Sequence, residues 1–127
     1  MLTIDINRKI ELSEGALEQP LGIKFVSGDK QAHRVNAELY RGGKRADLSG
    51  ATVLGRFLRA DGATVEVQGQ VTGNVASVTF DATCYAVPGR LAVSLQLTQS
   101  GVITTPLILH AMIRRGATNV IVAPGNI

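Results

Sequence analysis

Leu91, Val93, Leu95 and Leu97 alternate with Ala92, Ser94, Gln96 and Thr98, the two-residue period of a strand that buries one face. The same period links Leu2, Ile4 and Ile6 near the start of the chain, and Val35, Ala37 and Leu39 further on. Residues 52–60 and 64–71 flank Asp61-Gly62, a dipeptide suited to the mirror-image turn of a tight hairpin. Gly42-Gly43, Gly73-Asn74 and Ser100-Gly101 mark further reversals, with strands expected at 75–80 and 102–113. Residues 81–87 read as one helical turn, capped by Asp81 and ended by Pro88. Residues 8–20 keep no clean period, and Pro20 with Gly22 points to a loop before a strand at 23–26.

The sum is about eight strands joined mainly by hairpins, with no long helix. The expected fold class is all-β, a two-sheet antiparallel sandwich, in one domain over 1–127. Within it, 1–21 forms an N-terminal strand and loop, 22–115 the core sandwich and 116–127 an apolar tail.

The last long strand departs from simple alternation. Leu107, Leu109, Ala111 and Ile113 fill one face, while Ile108 and Met112 keep the other apolar around His110. A strand apolar on both faces is expected to be covered on both, by the same chain or by a neighbouring subunit. Pro106 lacks the N–H a ladder needs, which places it on an edge or at a bulge.

Charge sharpens this picture. Every acidic residue lies at or before Asp81, and beyond it only Arg90, Arg114 and Arg115 carry formal side-chain charge. A stretch so poor in charge is expected to be buried in the fold or against other subunits. The net charge is +3, too mild to specify a partner. Arg41-Gly42-Gly43-Lys44-Arg45 is the densest basic segment. Aromatic residues make up 4% with no Trp, which leaves stacking platforms for nucleic-acid strands or sugars poorly supplied.

Little in the chain offers chemistry. His33 and His110 sit on different expected strands, in no metal-ligand spacing with acids or with Cys84. Cys84, the single cysteine, has no local base and reads as a small apolar residue. No GxSxG, phosphate-binding loop, HExxH or dinucleotide fingerprint occurs. The expectation is a non-enzymatic protein with no cofactor and no metal, made in a reducing cytoplasm without a cleaved signal or membrane anchor.

The order of motifs resembles the N-terminal domain of the phage baseplate upper protein family. It runs through Ser27-Gly28-Asp29, 47–53 (Asp-Leu-Ser-Gly-Ala-Thr-Val), 59–62 (Arg-Ala-Asp-Gly), Gly73-Asn74-Val75 and Pro88-Gly89-Arg90, and covers roughly residues 22–114. The resemblance implies an immunoglobulin-like sandwich that fixes a baseplate, tail-fibre or head-fibre appendage to the virion. It would work as a homo-oligomer among other virion structural proteins. Family members continue into a helical or fibrous stalk. This sequence stops at Ile127 with neither, so it is expected to be either an attachment domain without its appendage, such as a fragment, or a standalone capsid decoration protein, with a carbohydrate- or nucleic-acid-binding module as a further alternative. No membrane is expected as partner and nucleic acid is disfavoured, while a host glycan stays open. The expected contact residues are Leu54, Arg56 and Leu58, which face outward if Phe57 is in the core, with Ile108 and Met112. Arg56, Arg114 and Arg115 would pair with acids at the rim, and Val120, Ile121 and Val122 would add to a neighbour's sheet edge.

Overall fold

A computed structural model describes residues 3–115, with Lys24 described by its backbone only. The expected edge-adding residues Val120, Ile121 and Val122 lie outside the described residues. Ten strands are present: β1 (Ile4–Glu11), β2 (Leu17–Val26), β3 (His33–Arg41), β4 (Lys44–Arg45), β5 (Thr52–Leu58), β6 (Thr64–Gln68), β7 (Gln70–Thr72), β8 (Val75–Thr79), β9 (Gly89–Gln99) and β10 (Val102–Arg114). Single 3₁₀ turns span Leu12–Glu14 and Ala82–Tyr85. The unassigned stretch 8–20 is thus the end of β1, a turn and the start of β2. The capping role of Asp81 is as expected, its carboxylate accepting from Thr83 N at 3.1 Å.

One sheet runs β1-β3-β8-β7, with β4 also on β3, and the other β2-β10-β9-β5-β6. This is the immunoglobulin order, in which an A-B-E-D sheet faces a G-F-C sheet. The sheets are mixed, however, rather than antiparallel throughout. β1 pairs with β3 in parallel from Ile4↔His33 to Glu11↔Tyr40, and β2 pairs with β10 in parallel. Parallel partners need crossover connections, and local alternation carries no record of them.

The chain changes sheets on both sides of the sandwich. On one side β1 passes through the Leu12–Glu14 turn into β2. On the other, β6 leaves the second sheet and continues as β7 in the first, with Gly69 at the corner. Gly69 N donates to Val53 O at 2.9 Å. A Cβ there would meet Ser77 O at 2.2 Å and Val53 Cγ1 at 2.7 Å, so only glycine lets the two sheets meet so closely.

The core lies between inward rows such as Val35, Ala37 and Leu39 of β3 and Leu91, Val93, Leu95 and Leu97 of β9, all buried. At one end it becomes aromatic. Phe25 packs on His33 with ring centroids 4.4 Å apart, and Phe57 on Phe80 at 4.8 Å. Tyr85 lies edge-on to Phe25 at 6.1 Å. It sits on the connection between β8 and β9, where immunoglobulin domains place their corner tyrosine. Here its hydroxyl pairs with His33 Nδ1 at 2.9 Å. Burial holds the imidazole below its usual pKa and pushes the phenol up, so both stay neutral. Cys84 beside it is fully buried, and burial pushes its thiol up to about 12.

Pro106 sits at a bulge. The β9–β10 register passes from Thr104↔Leu97 to Leu107↔Leu95, one extra residue on β10, and Pro106 and Leu107 are buried side by side.

Candidate docking face

The outward rows of the second sheet bring the expected contact residues together. In one row Glu18 of β2, Ile108 of β10, Ser94 of β9, Arg56 of β5 and Glu66 of β6 stand in register. In the next, His110, Ala92, Leu58 and Thr64 do so, and Met112 lies opposite Arg90 one row further. Leu54 shares its row with Gln96 and Gln68. Leu54, Arg56, Leu58, Ile108 and Met112 therefore lie on one face. Arg114 closes the same side of β10 beside Val26, and both Arg114 and Arg115 are exposed.

Nothing among the described residues packs over the middle of this face. Leu58 is 50% and Met112 48% exposed, while Ile108 and Leu54 are half-buried by their neighbours within the sheet. Both-sided cover of β10 is thus not supplied by the described chain. Leu58, Ala92 and Met112 line a shallow recess of about 630 Å³ together with Arg90 and His110.

Two side-chain pairs cross the face, while Arg90 and Arg114 are exposed on it. Arg56 Nε lies 3.2 Å from Glu66 Oε2, so this arginine already has its acidic partner in β6. His110 Nε2 meets Glu18 Oε2 at 2.6 Å. The acids stand at both edges and the bases between them. Sequence reasoning missed the most exposed apolar pair, Val102 at 64% and Ile103 at 62%. Ile103 stands in register with Thr98 and Thr52 on this face. The extra residue at the Pro106 bulge inverts the alternation, and strict period-two counting from Leu107 would have turned Ile103 inward.

The other candidates resolve into structure. The basic hairpin Arg41–Arg45 carries two left-handed glycines, Gly42 at φ 62° and Gly43 at φ 78°. Their amides donate to the Glu11 carboxylate at 3.0 and 2.7 Å, so that anion-binding concavity is filled by the chain itself. These bonds and those from Ser13 hold the Glu11 carboxyl down at about 2, the Ser13 hydroxyl contributing most. Among the described residues no three His, Cys, Asp or Glu side chains gather as metal ligands, and no helix is long and apolar enough to cross a membrane.

Fold and face together define an immunoglobulin-like β-sandwich with one apolar sheet face left uncovered by the described chain. Among solved structures the chain is similar to the N-terminal domain of phage TP901-1 ORF48, with a TM-score of 0.58, 10% sequence identity, and coverage of 88% of this chain and 99% of that one. The two share a fold over nearly their whole lengths. No family model and no curated protein matches the sequence.

Proposed function

We propose that the protein is a non-enzymatic structural component of a phage virion, the attachment domain of a baseplate, tail or head appendage, which docks through the outer face of its second sheet. The observation that carries the docking role is the half-exposed pair Leu58 and Met112, separated by Ala92 on a face where Arg56 is paired with Glu66 and His110 is hydrogen-bonded to Glu18. Desolvating paired charges around an apolar centre costs less than desolvating free ones, which suits burial against a protein surface. The phage assignment draws on the fold shared with the ORF48 domain and on the motif order of the sequence.

The covering partner is a neighbouring subunit, first of all a second copy of this chain. Acids at both edges with bases between them give a pattern that a two-fold related copy can match. Light scattering after size exclusion tests this across a wide concentration range. A dimer or larger ring that falls to monomer in Leu58→Glu and Met112→Glu, with the circular dichroism spectrum unchanged, is the expected result. A strict monomer at every concentration rejects self-association.

A further inference from the structure

We infer that the outer face of the first sheet carries a binding groove for a neutral, hydroxyl-rich ligand of the saccharide class. A concavity of about 780 Å³ lies there, between the β6–β7 corner, the turn before β3 and the start of the Ala82–Tyr85 turn. It opens because the strand at its side has left the sheet. The β7–β8 ladder ends at Gln70↔Ser77, since β6 belongs to the opposite sheet. Phe80 N donates to His33 O, so the alternation of an antiparallel strand directs the N–H and C=O of Thr79 away from β3 and into the groove. No described residue pairs with Thr79 on that side.

The side chains around this open rung are amides. Gln31 and Gln70 line the groove, and neither makes a side-chain hydrogen bond among the described residues. An amide donates and accepts at once, which matches the paired donor and acceptor character of sugar hydroxyls. Charge argues against a phosphate. Arg34 at the floor is held bidentate by Asp5, at 2.6 and 3.1 Å, and Lys30 shares the lining with one acid, Asp81.

Gln31 supplies an independent observation. It holds φ 52°, a left-handed conformation that nine glycines adopt elsewhere among the described residues and that only one other non-glycine residue, Ser100, shares. The chain keeps a strained side chain at the groove where glycine would fit without strain. All three phenylalanines and Tyr85 are in the core, so the groove has no stacking platform and the affinity belongs in the millimolar range.

The test is a two-dimensional NMR titration of the intact chain with neutral trisaccharides built of glucose, galactose or N-acetylglucosamine. The expected result is saturable movement of the Gln31, Gln70 and Thr79 amides for at least one of them. In Gln70→Ala and Gln31→Gly that affinity falls roughly tenfold, the scale of a lost hydrogen-bonding group. Gln31→Gly separates binding from folding, because it is expected to raise the melting temperature while weakening the sugar. A raised melting temperature with an unchanged titration overturns the inference. So does a failure of every sugar to move these amides, or movement of the Thr79 amide by an extended peptide but by no sugar, which would make the open rung a strand-pairing site.

Discussion

At the scale of single residues, two positions hold the sandwich in this form. Gly69 is the corner at which β6 becomes β7, and the atom nearest to an added Cβ is a backbone oxygen, which cannot swing aside. Gly69→Ala is expected to lower stability by about 3 kcal/mol, the upper range for overpacking, measured by urea unfolding. His33 and Tyr85 form the second. Tyr85→Phe leaves a buried imidazole nitrogen without its partner, an expected loss of about 1–3 kcal/mol. The same pair gives a pH dependence of known sign. The folded state resists protonation of His33, whereas the unfolded chain takes the proton near the ordinary imidazole value of 6.5. The unfolded state therefore binds more protons as the pH falls below that value, and stability declines until the folded pKa is reached. Urea midpoints should fall from pH 7.5 towards pH 5, and His33→Gln should flatten that slope.

Elements show how far alternation can be trusted. β3, β5 and β9 were legible because each buries one face and has no bulge, so Val35, Phe57 and Leu95 point inward as their period requires. The clustering of Leu54, Arg56, Leu58, Ile108 and Met112 on one face was legible for the same reason. Ile103 was not, because the bulge at Pro106 inverts the count, although the proline itself marked the place. The parallel pairing of β1 and β2 was hidden too, since it depends on partners distant in sequence. One such long-range tie is testable. Glu11 joins β1 to the β3–β4 hairpin through the Gly42 and Gly43 amides. Glu11→Gln should speed hydrogen exchange at those two amides. Its depressed pKa adds stability that is present above the ordinary carboxylate value of 4.5 and lost as the pH falls towards about 2.

The whole molecule divides its labour between two faces. The outer face of the first sheet is polar, its Asp5, Asn7, Arg34, Asn36 and Ser77 side chains joined in one hydrogen-bonded network. The second presents Leu58, Met112 and Ile103 as exposed apolar side chains among polar ones. The sheet-switching strands that flank the sandwich leave these two faces as its broad surfaces. A docking partner and a small polar ligand can then be held at the same time, and blocking one face should leave titration of the other unchanged.

The parallel pairings of β1 and β2 have a consequence for how the domain can be joined to other chains. Ile4 N bonds Ala32 O and Arg114 O accepts from Ser27 N, so the described chain enters and leaves beside the same 27–32 turn. Anything fused to either end hangs from one pole, and the hairpins at Gly42-Gly43, Gly73-Asn74 and Ser100-Gly101 lie at the other. Such a module can be spliced into a surface loop of a host protein without spreading the loop's ends. A circular permutant that links Thr3 to Arg115 through a short flexible spacer and opens between Ser100 and Gly101 should fold. Its melting transition should stay cooperative, because the cut falls at an exposed tip where Ser100 is held at φ 51°.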